Sequence, residues 1–323
     1  MLSNYESKRV YQIDGIKGLY IFLVVLGHLI GGGYNNKSIL GVAHYFIYSI
    51  HMPMFVLISG LLSKNQTSFK KIIGNYVIPY IIFDLAYVLF GTIIGQSVSW
   101  NILVPSFAYW YILCIAIMKF VYSNVRIEIA LVASVIISVL VIFFIPESAW
   151  RWLSIGRVAL LYPVFLCGTL LGGNRLNTLS KNKVKCIAFG IVAMIILCVF
   201  RWFNVMPIDW ATHDYYVTIM QLMIKYFCML LTVAIFACLF CIIPKSSIMQ
   251  RWGKNSIIIY LLHPFFVPFV RFAINKITNS EIMAFFITIV SALTITEILS
   301  INFFKKEYEH ILEKVKQFIK LEV

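Results

Sequence analysis

The stretch from Asp14 to His28 reads DGIKGLYIFLVVLGH, and it decides the fold. An acid and a base, Asp14 and Lys17, stand at its mouth. It then runs apolar to Gly27 and closes on His28. On a helix, the eleven residues from Lys17 to His28 cover roughly 16 Å, about half the hydrocarbon core of a bilayer. Helical spacing puts Asp14, Lys17 and His28 near one face. Lys17 also suits an ammonium that snorkels to a membrane edge. His28 is harder to explain that way, because an ionisable side chain at membrane depth is expensive and reads as functional.

The rest of the chain supports a membrane setting. Of its 323 residues, 61% are hydrophobic and 12% charged, with a mean hydropathy of +0.89. Soluble domains carry about 25% charged residues. The expected fold is all-α, a polytopic bundle of about ten transmembrane helices, because backbone in lipid must satisfy its own hydrogen bonds. The spans are expected near 16–31, 44–63, 72–95, 102–121, 127–145, 154–173, 184–202, 216–243, 255–275 and 281–304. Residues 1–323 read as one membrane-embedded domain with a short amphipathic tail at 305–323. The first apolar run has no small-residue cleavage site and is expected to belong to the bundle.

The net charge of +14 has a topological explanation, not a nucleic-acid one. With both termini cytoplasmic, basic residues crowd the inner segments: Lys64, Lys70 and Lys71, the run from Arg175 to Lys185, and the tail. Outer segments hold few, such as Lys37, Arg151 and Arg271. The tail places Ile311, Leu312, Val315 and Phe318 at helical spacing and is expected to lie on the inner leaflet. The seven cysteines form no CxxC pair and read as packing residues.

Several further residues stand out. His51 lies in the outer half of the second span, where it shares the depth of His28. His44 is expected at the boundary, in water. His263 sits beside Pro264 near mid-membrane. Arg157 opens the sixth span and suits either an anionic or sugar group or an interfacial anchor. Trp110 and Tyr111 sit centrally in the fourth span, where core packing is the alternative. Asp84 is deep in the third span, and Lys225 in the eighth is its candidate partner. The outer segment 203–215 carries Asp209, His213 and Asp214.

In chain order, IDGIKG and IFLVVLGH (13–18, 21–28), HMPMFVLISGLL (51–62), YWYIL (109–113), RVALLYPVFLCGTLLG (157–172) and SIIIYLLHPFF (256–266) together resemble the acyltransferase-3 family. The branch they are most similar to is described as fucose 4-O-acetylase-like. That resemblance implies a ten-helix bundle that moves acetyl from acetyl-CoA onto hydroxyls of envelope glycans or lipids. It also implies an essential histidine preceded by a basic residue, at the positions of His28 and Lys17. Many members have Arg where Lys17 stands, so a bidentate guanidinium is missing here.

The chemistry agrees with the residues. O-acylation needs a base near neutral pH, and histidine supplies one. His28 is the expected base, and His51 orients it or the acceptor. Lys17 attracts the phosphates of CoA, with Asp14 holding Lys17 in place. Arg157, Trp110 and His263 are candidate acceptor-binding residues. The expected partners are an envelope glycan or lipid-linked sugar and membrane lipid, in the cell membrane, with no nucleic acid and no metal. The competing reading is a transporter or flippase for a glycan or lipid-linked sugar, since buried His, Asp and Lys also suit proton-coupled transport.

Overall fold

A computed structural model describes residues 11–31, 38–63, 67–172, 174–207, 216 and 218–320. Lys37, Lys64, Asp209, His213 and Asp214 lie outside the described residues. Among those described, every regular element is helical. The first helix, α1, spans Tyr11–Ile30, followed by α2 (Ile39–Leu61) and α3 (Phe69–Ile93). Then come α4 (Trp110–Asn124), α5 (Ile127–Phe144), α6 (Trp152–Leu170), α7 (Lys183–Trp202) and α8 (Ile219–Ile242). The last five are α9 (Ser247–Lys254), α10 (Ser256–Phe265), α11 (Val267–Ile277), α12 (Glu281–Leu299) and α13 (Asn302–Phe318).

Eight of these helices are long and apolar enough to cross a membrane, and the bent pair α10–α11 makes a ninth. The 56° bend between α10 and α11 falls where Pro264 and Pro268 interrupt the backbone ladder. The fourth expected span differs from the others. Only α4 is helical there, and residues 96–109 before it are irregular. Pro105 removes a donor and pushes its neighbour toward extended backbone. Phe107 takes a left-handed φ of 45°. Irregular backbone at membrane depth survives only where protein covers it. Here the Asp84 carboxylate accepts a hydrogen bond from the Ser106 amide at 2.7 Å. Asp84 therefore holds the irregular segment, while Lys225 lies over the Tyr216 ring, 6.0 Å from its centre. The expected Asp84–Lys225 pairing is replaced by these contacts.

The bundle is built around α1 and α2, each 72% buried across its apolar window, whereas α5 and α7 are 22% buried and face outward. The closest packing of α1 is against α9. A Cβ at Gly18 would come within 2.0 Å of the Met249 carbonyl oxygen, and one at Gly253 within 1.9 Å of the Asp14 carbonyl oxygen. Only glycine lets the two backbones meet this closely, a common device between membrane helices. The crossing anchors the Lys17 end of α1. Its His28 end is anchored separately, by Arg271 on α11, which donates from Nε (3.1 Å) and from Nη2 to the His28 carbonyl. That carbonyl is one of the unpaired acceptors at the helix end. Gly31 then turns the chain at φ 67°, and a Cβ there would strike the Arg271 guanidinium at 2.3 Å.

Candidate active site

Helix α2 carries His44, Tyr48, His51 and Phe55 at intervals of four, three and four, so they share one face. Tyr48 is the hub. Its ring lies 4.1 Å from His44, 4.7 Å from His51 and 6.0 Å from His28 between centroids. Its hydroxyl is 3.2 Å from Nδ1 of His28. His263 approaches from the bend between α10 and α11, with its ring 5.2 Å from that of His28. Phe107, held out by the irregular segment, covers His28 at 4.7 Å. Three histidines thus surround Tyr48, and a fourth, His263, joins them through His28.

Their hydrogen bonds differentiate them. A carbonyl only accepts, so Nδ1 of His51 donates to Ile47 at 2.7 Å and Nδ1 of His263 donates to Ile259 at 3.0 Å. Each neutral ring then presents an Nε2 lone pair. The Nε2 of His263 is buried with no hydrogen-bond partner among the described residues. Leaving it unmet costs about 1–3 kcal/mol, which a bound donor group would relieve. His44, His51 and His263 are buried, whereas His28 is partly exposed. His44 is 4% exposed, packed on Tyr48, and not in water as its boundary position suggested. Among the described residues no three His, Cys, Asp or Glu side chains converge as metal ligands.

On the opposite side of Tyr111 and Tyr260 lies a cavity of about 490 Å³. Lys17 lines it, with Ile21 of α1, Phe55 and Ser59 of α2, Tyr76 of α3 and Lys119 of α4. Ile21 and His28 are seven residues apart, so roughly 10 Å of helix separates cavity from histidines. Tyr260 bridges that gap, because it lines the cavity and its ring is 5.9 Å from His263. Tyr111 and Tyr260 are both tied down. Tyr111 shares a hydrogen bond with Ser59 Oγ at 2.8 Å, and Tyr260 donates to the Ala108 carbonyl.

The remaining expected residues divide between these places. Asp14 is buried where α1 crosses α9, near the Lys17 end. Arg157 of α6 stacks over Trp110 of α4 at 4.3 Å, so the two form one unit. Trp110 meets Tyr111 edge-on at 6.3 Å, which sets that unit beside the cavity wall. Sequence reasoning missed Tyr48, Phe107 and Arg271. Tyr48 was within reach of it, since it sits on the histidine face of α2 at fixed spacing. Phe107 and Arg271 carry no local signal; the irregular segment and the α10–α11 bend deliver them.

Comparisons with known proteins give the family of the chain. The family profile described as an acyltransferase domain, acyltransferase-3, matches residues 10–301. A stretch of 82 residues is 38% identical to the Nodulation protein NolL of Sinorhizobium fredii (strain NBRC 101917 / NGR234). The match covers 24% of this chain and 22% of that relative's length. No solved structure matches the chain.

Proposed function

The chain belongs to the acyltransferase-3 family and is a multi-pass membrane acyltransferase; on that premise we propose that it moves acetyl from acetyl-CoA to a hydroxyl of an envelope glycan or lipid-linked sugar in the cell membrane. One observation carries the reading: a partly exposed histidine, backed by a tyrosine and a buried histidine, stands about two helical turns from a lysine-lined cavity. A carrier with a long arm spans that distance, so charge recognition and acyl chemistry occupy separate places.

In the proposed reaction, Nδ1 of His28 donates to the Tyr48 oxygen, and Nε2 is left as the base. Nε2 takes the proton of the acceptor hydroxyl as that oxygen attacks the thioester carbonyl. The C–S bond then breaks, and the departing thiolate takes the proton from the His28 imidazolium. The products are an acetyl ester and free CoA. Tyr48 and His51 orient His28, while Nε2 of His263 accepts a hydrogen bond from a neighbouring hydroxyl of the acceptor sugar. Lys17 holds donor phosphate at the inner mouth, with Asp14 steadying that end of α1. The Arg157–Trp110 pair offers a cation and an aromatic face to a sugar. Donor entry from the cytoplasmic side follows from the proposed topology, with both termini inside.

The test is incubation of the purified protein in nanodiscs with radiolabelled acetyl-CoA and candidate glycans. The expected result is label in the glycan as a base-labile ester. Unlabelled glycan crossing a proteoliposome membrane, with no ester formed, would support the carrier reading instead.

A further inference from the structure

The cavity has a wall that lies outside the acyltransferase domain. The domain match ends at residue 301, and α13 begins at Asn302. Yet Tyr308, Glu309, Leu312, Glu313 and Lys316 of α13 all line the cavity. Tyr308, Leu312 and Lys316 recur every four residues, which makes them one helix face. Leu312 is the buried residue of that face, Tyr308 packs on Phe83 at 6.2 Å, and Lys316 Nζ donates to Asn75 Oδ1 at 3.1 Å. Ile311 and Phe318 stay exposed. The tail helix expected on the inner leaflet thus turns its other face to the cavity.

We propose that α13 completes the donor site and makes it selective for a nucleotide-bearing thioester over a bare pantetheine thioester. This rests on the donor reading above. Three ammonium groups reach the cavity from three separate helices: Lys17 from α1, Lys119 from α4 and Lys316 from α13. Lys119 is 7% exposed; its Nζ donates to Ser63 Oγ at 2.6 Å and stands over the Tyr76 ring at 5.6 Å. Among the described residues no carboxylate pairs with it. A buried ammonium answered only by neutral groups is undercompensated, and a phosphate corrects that.

Glu309 and Glu313 face the same cavity, and Glu309 is also paired with Lys305 at 3.7 Å. Carboxylates repel phosphate but accept hydrogen bonds from ribose hydroxyls and an exocyclic amine. Tyr76 and Tyr308 add flat apolar faces for a base. Ammonium, carboxylate and aromatic ring in one cavity match the three parts of a nucleotide. Pantetheine offers none of the charge and no ring.

The test measures binding to the full-length protein in nanodiscs by calorimetry, with CoA and pantetheine as probes. Lys316→Glu is expected to weaken CoA roughly tenfold, the scale of one lost charge-assisted contact, and to leave pantetheine unchanged. Lys316→Arg should retain CoA affinity. Asn75→Ala, which removes the tether of Lys316 and one neutral amide of the cavity wall but no charge, should change it by clearly less than Lys316→Glu does, roughly threefold at most. Equal CoA affinity in wild type and Lys316→Glu overturns the proposal, as does a loss that Asn75→Ala reproduces. Wild-type protein that binds no CoA overturns the donor reading and this inference with it. Active, CoA-binding protein indifferent to Lys316→Glu overturns this inference alone.

Discussion

The histidine cluster and the lysine cavity lie along the same central helix, α1, but are built on opposite principles. Around His28 the Nδ1 atoms meet backbone carbonyls and a phenol, one buried Nε2 is left open on His263, and Phe107 covers the setting. Around Lys17 the walls carry full charges of both signs, with serines and tyrosines between them. A closed, aromatic setting fixes the orientation of each ring and the direction of its lone pair. An open, charged one attracts a polyanion. Two helical turns of α1 and the Tyr111–Tyr260 pair keep the two settings apart.

If that division is right, substitutions in the two regions should change different kinetic constants. His28→Ala should have the largest effect, a loss of roughly 10²–10⁴-fold in kcat, as expected when a general base is removed. Donor binding measured by calorimetry should stay as in wild type, and gel filtration should show an intact protein. Lys17→Ala should act the other way. Its apparent KM for acetyl-CoA should rise roughly tenfold, with kcat within about twofold, because one charge-assisted contact is lost. A fall in kcat with unchanged KM would mean that Lys17 belongs to the chemistry, and the division would fail.

Arg271→Gln tests the far anchor of α1. The His28 carbonyl loses its two guanidinium donors, and kcat should fall by roughly three- to tenfold through misplacement of the ring. Rescue by Arg271→Lys should be partial, because a lysine offers no planar fork. Tyr48→Phe should have the smallest effect. It keeps the ring that packs His44, His51 and His28 and removes one hydrogen bond, so kcat should drop roughly two- to fivefold. A Tyr48→Phe loss as large as that of His28→Ala would move the essential proton from histidine to phenol. Each measurement uses initial rates at saturating acceptor, with donor concentration varied.

Parts of this site are legible in spacing alone. The α1 register brings Lys17 and His28 to their depths, and the 44–48–51–55 pattern puts three of the cluster's rings on one face of α2. Pro264 and Pro268 announce the α10–α11 bend. Other parts are not. The fourth apolar stretch satisfies a hydropathy count, yet its first half is irregular because the Asp84 carboxylate, on another helix, binds its backbone. The boundary position of His44 predicts water around it, and only the neighbouring helices bury it. The tail pattern indicates an amphipathic helix without indicating which surface its polar face meets.

The sequence by itself determined the class: apolar runs of membrane length, basic residues gathered in alternate segments and motifs at helical spacing are local properties, carried by the order of residues along the chain. Tertiary structure alone decided that His263, Phe107 and Arg271 converge on His28, and that α13 walls the cavity around Lys17. Those contacts join residues far apart in sequence. They depend on how closely glycine lets α1 approach α9 and on the angle at which α10 breaks, and neither is a property of any single stretch.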